Sequence, residues 1–157
     1  MYRKRLTKEQ ALQKLRFYCR YQQRCQSEIK QKLFELGINS KDRDEVIAEL
    51  IKENCVNDER FALAFVSGRF RLKQWGRKKI QQGLKEKRVS DEISQKALEQ
   101  INQKEYMAIL NKLAKEKYAL LKHDQYLVRK KKTMDYLMQK GYEVDLVNKI
   151  LESIKER

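Results

Sequence analysis

The sequence contains no proline and only five glycines in 157 residues. Because proline is the strongest helix breaker and glycine disfavours helix interiors, this scarcity favours helix almost throughout the chain. We find no strand-like alternation of apolar and polar residues, and no apolar run approaches the roughly 20 residues that a membrane helix needs. We therefore predict an all-α fold without a membrane partner.

Residue types that carry chemistry are also scarce. The three cysteines, Cys19, Cys25 and Cys55, are odd in number and lack the C-x-x-C spacing of zinc sites, and His123 is the only histidine. No glycine-rich phosphate loop is present. We therefore expect no cofactor, no metal and no enzymatic activity, and reduced, partly buried thiols of the kind found in cytoplasmic proteins. The basic N-terminus lacks a following apolar segment, so we expect no signal peptide.

Positive charge is what the sequence has in abundance. The formal net charge is +15, more than solubility requires, which indicates a polyanionic partner such as a nucleic acid or an acidic protein surface. The densest block is residues 67–88, with nine Lys or Arg and one Glu, a net charge of +8. Residues 1–32 also carry +8, whereas residues 33–66 carry −4.

Three short segments resemble one another and indicate an internal repeat. They read LFELGI from Leu33, LKEKRV from Leu84 and LMQKGY from Leu137. The leucines are 51 and 53 residues apart, a period typical of tandem arrays of small helical units. We predict three consecutive three-helix repeats, at residues 1–55, 56–102 and 103–157.

Local signals place several helix ends. Thr7 with Gln10 matches the capping box that begins a helix. Gly37 and Gly141 are placed to end helices in the left-handed conformation, and Asn54 is a tolerable substitute for glycine at another helix end. In the middle repeat, Gly76 separates two helices. The predicted core residues of that repeat are Phe61, Phe65, Ile80, Leu84, Ile93 and Leu98.

The cations around Gly76 are the candidate partner- and DNA-binding residues. They are Arg69, Arg71, Lys73, Arg77, Lys78 and Lys79, with Lys132, from the basic run 129–132, assisting. Cations in the first turn of a helix oppose its dipole, so they serve a purpose other than helix stability. Free N–H groups at that helix start would also suit a phosphate. Trp75 either packs in the turn or stacks on a base, and the same two alternatives hold for Tyr18 and Tyr21.

These residues resemble the signature of the RecX regulatory proteins. The match runs through VNDERFA from Val56, then Arg69, Gly76, Ile80 and Leu84, and RCQSEI from Arg24 is similar to an upstream family segment. The ending at Lys140-Gly141-Tyr142 also looks like that of the family. The sequence departs from the usual pattern in having Asn54 and Arg88 where helix-ending glycines stand, Asn57 for an aspartate and Cys25 for a serine.

The resemblance implies a cytoplasmic modulator of the RecA recombinase. It implies tandem three-helix repeats in an elongated, curved array that binds the RecA–DNA filament, mainly inhibits it, and binds single- and double-stranded DNA without sequence preference. We expect a monomer. The alternative is a stand-alone nucleic-acid-binding protein of the helix-turn-helix type. The acidic third helix of the first repeat, residues 42–53, counts against insertion of that helix into a DNA groove.

Overall fold

The computed structural model describes residues 6–155, so the basic residues 1–5 and the last two residues of the third predicted repeat lie outside it. Within residues 6–155 the fold is all-α, with nine helices and no strand, which confirms the predicted tandem helical fold. The helices are α1 (Lys8–Tyr21), α2 (Gln26–Glu35), α3 (Ser40–Lys52), α4 (Asp58–Arg71), α5 (Arg77–Glu86), α6 (Asp91–Leu98), α7 (Gln103–Leu120), α8 (Tyr126–Gln139) and α9 (Val144–Lys155). No helix in the described part of the chain has the length and apolar character needed to cross a membrane.

The three aligned segments end their helices in the same way. The fifth residue of each segment has a left-handed backbone, at Gly37 (φ 74°), Arg88 (φ 57°) and Gly141 (φ 97°). The next N–H then donates to the carbonyl of the segment's leucine, 3.1 Å from Ile38 to Leu33, 3.1 Å from Val89 to Leu84 and 3.2 Å from Tyr142 to Leu137. This is the Schellman arrangement, and it gives the repeated sequence a common physical cause.

Two further predicted helix ends are confirmed. The Thr7 hydroxyl accepts from the Gln10 N–H at 3.1 Å, and the Thr7 N–H donates to the Gln10 side chain at 2.9 Å. Asn54 has a φ of 57°, the left-handed conformation expected of it. Asparagine tolerates this conformation better than most residues with a side chain.

The chain folds into two compact units. The first contains the residues up to Ala64 together with Leu84–Ser94, and the second contains Phe65–Gly83 together with the residues from Gln95 onward. The predicted middle repeat therefore contributes residues to both units. The boundaries at 55/56 and 102/103, and the curved outline of the array, stay predictions.

The first unit has its own apolar core, in which α3 packs against α1 and α2. Its buried members are Ala11, Leu15, Ile29, Leu33, Ile38, Val46, Ile47, Leu50 and Val56. On the surface of this unit, the Arg16 guanidinium donates to the Glu53 carboxylate at 2.6 and 3.1 Å and ties α1 to the end of α3.

The second unit is built on α7, α8 and α9, which pack against one another. Its buried residues include Leu110, Leu113, Leu137, Val147, Ile150 and Leu151. The rings of Phe70, Tyr106 and Tyr142 continue this core as a chain, with centroids 5.8 Å apart for the first pair and 5.2 Å for the second. The aromatic chain brings the end of α4 onto α7 and the start of α9.

The predicted core of the middle repeat is partly wrong. Phe61, Ile80, Leu84 and Leu98 are buried, but Phe65 and Ile93 are only half-buried. One face of the Phe65 ring lies under the Arg69 guanidinium, 4.5 Å from the ring centroid. Phe65 therefore forms the wall of a cationic surface as well as part of the core.

Candidate functional site

Most of the candidate residues lie in one segment, residues 69–79, which we call the cationic turn. It contains the last turn of α4, the connection 72–76 and the first turn of α5. Gln74 has a left-handed φ of 56°, and the Trp75 N–H donates back to the Arg69 carbonyl at 3.1 Å. The sequence pattern did not indicate that Gln74, rather than Gly76, reverses the chain.

The cationic turn is fastened to the connection between α8 and α9. The Gly76 N–H donates to the Lys140 carbonyl at 2.7 Å, and the Lys78 N–H donates to the Gly141 carbonyl at 2.9 Å. The Tyr142 hydroxyl donates to the Gln74 carbonyl at 2.8 Å. Three hydrogen bonds would have to break before this turn could change shape, so it is a rigid platform for its cations.

Both glycines at this junction are required by close backbone approach. A Cβ on Gly76 would lie 2.5 Å from the Tyr142 nitrogen and closer still to the Gly141 carbonyl group. A Cβ on Gly141 would lie 2.5 Å from the Lys79 nitrogen, and Gly141 also has a φ of 97°. The role predicted for Gly76 as a separator is correct, but its main cause is the packing of two turns.

The first two N–H groups of α5, which were predicted to be free, are occupied by the protein itself. The Arg77 N–H donates to the Tyr106 hydroxyl at 3.1 Å, and the Lys78 N–H is bound to Gly141. The hypothesis that this helix start binds a phosphate is therefore wrong. An anion at this turn would therefore have to be bound by side chains.

Trp75 is surrounded by the cations of its own turn. The Lys79 ammonium lies 4.6 Å from the indole centroid, the Arg69 guanidinium 5.4 Å and the Lys73 ammonium 5.5 Å. The half-buried ring thus organises three positive charges through cation–π contacts. Of the two alternatives considered for Trp75, these contacts favour packing over base stacking.

Four cations of the turn face solvent: Arg71, Lys73, Lys78 and Lys79. Leu72, between the first two, is 86% exposed. Arg69 is half-buried between the rings of Phe65 and Trp75, and its Nε has no hydrogen-bond partner among the described residues. The exposed group is therefore the part of the turn available to a partner.

Arg77 differs from its neighbours because it is held within the fold. Its guanidinium binds the Glu143 carboxylate at 2.8 Å and the Gln103 side chain at 2.5 Å, and it covers the Tyr106 ring at 3.8 Å. The Tyr106 hydroxyl also donates to Glu143. Burial raises the pKa of Tyr106, and the hydrogen bond to Glu143 raises it further. These contacts identify Arg77 as a residue that positions α5.

Lys132 lies on α8, apart in sequence from the cationic turn, and its ammonium binds the Asp124 carboxylate at 3.0 Å. Within the same basic run, Arg129 donates to the Tyr118 carbonyl at 2.6 Å and covers the Tyr118 ring at 3.6 Å. These two cations of the run thus have different surroundings. This agrees with the expectation that the four cations cannot all face one surface.

Lys140 is a member of the cluster that the sequence reasoning missed. Its ammonium donates to the Lys73 carbonyl at 3.0 Å. Burial lowers the pKa of Lys140, and the nearby charge of Lys79 lowers it further. A bound anion would relieve this repulsion. The only signal in the sequence was the match of Lys140 to a repeated segment.

Metal and thiol chemistry find no support in the part of the chain that the structure describes. No group of three or more His, Cys, Asp or Glu side chains in residues 6–155 is arranged to hold a metal ion. Cys25 is buried, and Cys19 and Cys55 are half-buried free thiols. Burial raises the pKa of Cys19 to about 11, so this thiol is a poor nucleophile near neutral pH.

Two family models match the chain. The second three-helix domain of RecX matches residues 57–98, and the third three-helix domain of RecX matches residues 104–151. Similar curated proteins include the regulatory protein RecX of Bacillus mycoides, 29% identical over 88% of this chain and 52% of the relative. That of Clostridium perfringens is 32% identical over 82% of this chain and 61% of the relative. The chain thus spans between half and two thirds of the length of these relatives.

Solved structures give the same result. The crystal structure of RecX from Lactobacillus salivarius is 25% identical, with a TM-score of 0.86 over 96% of this chain and 97% of that one. A second structure, of a regulatory protein RecX, is similar in fold, with 21% identity and a TM-score of 0.85. The sequence matches, the two domain models and the shared fold agree, and this chain belongs to the RecX family of regulatory proteins.

Proposed function

We propose that this RecX-family protein binds the RecA filament on DNA and restrains its ATP hydrolysis and strand exchange. In this proposal it is a cytoplasmic, monomeric regulator without enzymatic activity. The observation that carries the proposal is the cationic turn, where Arg71, Lys73, Lys78 and Lys79 project to solvent from a segment held rigid by the 140–142 connection.

Electrostatics supports an anionic partner at this turn. Exposed cations add little to the stability of a fold, because surface ion pairs are worth about 0–1 kcal/mol. Burial lowers the pKa of Lys140, and repulsion by the neighbouring Lys79 ammonium lowers it further. A row of phosphates or carboxylates would convert this repulsion into attraction. Phosphates carry no base identity, so the DNA contacts would be independent of sequence.

The helix-turn-helix alternative has less support. In such proteins the N-terminal residues of the recognition helix contact base edges in the major groove. The corresponding end of α5 packs against residues 140–142 through the N–H groups of Gly76 and Lys78. Base readout by this helix would require the junction to open. Contact through side chains on the rim of the turn requires no such change.

The test is a triple variant, Arg71→Ala with Lys73→Ala and Lys78→Ala. Arg77 is left intact because its ion pair with Glu143 belongs to the fold. We expect a wild-type melting temperature and loss of most inhibition of the DNA-dependent ATPase of RecA. Binding to single-stranded DNA should also show a salt slope smaller by about 2, since each phosphate contact contributes about 0.7.

The matched control removes the same charge elsewhere. Lys104, Lys112 and Lys115 are exposed on α7, so their combined change to Ala also lowers the net charge by three. This control should inhibit as the wild type does. If the turn variant remains folded and still inhibits fully, the cationic turn is not the contact surface. Arg69, Lys79 and Lys132 remain assisting residues within the proposal.

A further inference from the structure

A second surface, in the first compact unit, combines exposed aromatic rings with cations. Phe17 is 72% exposed and Tyr21 is 80% exposed. They are four residues apart on α1, so they share one face of that helix. Together with Lys14, Tyr18, Arg24 and Lys32 they line an open groove of about 540 Å³, which we call the aromatic groove.

The rings in the groove have two different roles. Tyr18 is covered by the Arg24 guanidinium at 3.6 Å, with the Lys32 ammonium 5.6 Å from its centroid, and Arg24 also donates to the Tyr18 carbonyl at 3.2 Å. Tyr18 therefore forms a wall that fixes two cations. Phe17 and Tyr21 keep most of their surface in solvent and are free to accept a flat partner.

The fold does not account for this arrangement. The core face of α1 carries Ala11 and Leu15, both with no exposed surface. Phe17 lies about 200° and Tyr21 about 240° around the helix from Leu15, so neither can reach that core. Adjacent exposed aromatics on a helix face are uncommon on a surface without a binding role. The groove therefore has the properties of a binding site.

We propose that the aromatic groove binds single-stranded DNA by stacking unpaired bases on Phe17 and Tyr21, with phosphates held by Lys14 and Lys32 while the buried Arg24 braces the Tyr18 wall. Aromatic platforms beside cations are the physical means by which proteins bind unpaired nucleic acid without sequence preference. The charge is complementary, because three cations and no carboxylate are found among the described lining residues. The bases of a duplex are already stacked and cannot use the rings.

This proposal rests on the proposed function only in requiring that the chain bind DNA. It adds a strand preference that the cationic turn does not supply, since phosphate contacts alone serve single and double strands alike. The two sites also lie in different compact units and share no residue. Their variants can therefore be tested independently.

The experiment measures fluorescence anisotropy of the full chain with a labelled oligothymidine of about 15 nucleotides and with a duplex of the same length. In the double variant Phe17→Ala with Tyr21→Ala, single-strand affinity should fall by about 30-fold or more, because each base stacked on a ring contributes a factor of about 5 or more. Duplex affinity should change by less than about 2-fold. A strand of abasic sites, which keeps the phosphates, should bind the wild type as weakly as oligothymidine binds the variant.

Two controls separate stacking from general damage. Phe34→Ala removes another phenylalanine that is 66% exposed, on α2 and outside the groove, and should leave both affinities unchanged. The variant Phe17→Trp with Tyr21→Trp should keep single-strand affinity, because indole also stacks. Wild-type melting temperatures are expected throughout, since the changed rings are exposed.

Several results would overturn the inference. They are an unchanged single-strand affinity in the double alanine variant, an equal loss on single strand and duplex, and wild-type affinity for the abasic strand. If the double variant binds DNA normally but no longer inhibits RecA, the groove binds protein instead and the inference fails. Absence of DNA binding by the wild type would refute it, whereas the proposed filament contact would still be decided by the ATPase assay.

Discussion

Replacing Gly76 by alanine should lower the free energy of unfolding by a large amount. Among the glycines near the cationic turn, we expect only Gly141 to be as sensitive to this change. The new Cβ would lie 2.5 Å from the backbone nitrogen of Tyr142 and closer to the Gly141 carbonyl. These are backbone atoms, so no side-chain rotation relieves the overlap. Overpacking of this kind costs about 1–3 kcal/mol.

The cost rises because the displaced turn also loses hydrogen bonds. The bonds at risk join Gly76 to Lys140, Lys78 to Gly141 and Tyr142 to Gln74. Each is worth about 0.5–1.5 kcal/mol net, so the free energy of unfolding should fall by about 3 kcal/mol or more. For a chain of this length, that corresponds to a fall in melting temperature of about 6–12 °C.

Urea unfolding followed by far-ultraviolet circular dichroism measures this difference, with two other glycines as references. Gly68 is inside α4 and a Cβ there meets no atom within 4 Å, so Gly68→Ala should raise the free energy of unfolding by about 1 kcal/mol. A Cβ on Gly83 would meet the tip of the Phe65 ring at 2.7 Å, which can shift, so its effect should lie in between. A Gly76→Ala protein within about 0.5 kcal/mol of wild type would refute the close packing of the two turns.

Three further changes test other contacts. Arg77→Met should lower the free energy of unfolding by about 1–3 kcal/mol through loss of its bonds to Glu143. Glu143→Gln should then cost less stability in the Arg77→Met background than in the wild type. If the two losses of stability simply add, the pairing is contradicted. Burial raises the pKa of Tyr106 and of Tyr142 above the ordinary value of 10.0. The stability that each neutral hydroxyl contributes to the fold is therefore complete below pH 10 and is lost as the pH rises above it. The expected slope is about 1.4 kcal/mol per pH unit for each tyrosine, and Tyr106→Phe should reduce it; an unchanged slope in an alkaline titration of stability would count against this origin. Phe65→Ala should cost about 1–3 kcal/mol by urea unfolding, below the range for a fully buried ring, because Phe65 is half-buried; a loss above about 4 kcal/mol would restore it to the core.

Helix type and helix ends were predictable because they depend on short-range chemistry. The capping box of α1 joins Thr7 and Gln10, which are three residues apart. The left-handed conformation of Asn54 follows from local backbone sterics. The repeated leucine segments were recognisable for the same reason. Each leucine carbonyl accepts from a residue five positions later in its own segment.

Side-chain partners were not predictable, because charge alone does not say which opposite charge lies nearby. Arg77 and Lys78 are adjacent cations in the sequence, yet the first is bound to Glu143 and the second is exposed. Gly76 indicated a turn but not that residues 140–142 would pack on it. Phe17 carried a readable signal, since it falls off the apolar face of Ala11 and Leu15. The sequence did not show that Arg24, from the following connection, and Lys32, from α2, would border the same groove.

The junction between the cationic turn and residues 140–142 also constrains how the protein folds during synthesis. The carbonyl of Gln74 is made 68 residues before the hydroxyl of Tyr142 that binds it. At roughly 5–20 residues per second, a ribosome needs about 3–14 seconds to supply that partner. During this interval the turn lacks its hydrogen bonds to residues 140–142, even though the helices on both sides of it can already form. The proposed filament-binding surface would therefore become rigid only once Tyr142 has been made, after the first unit has had time to fold.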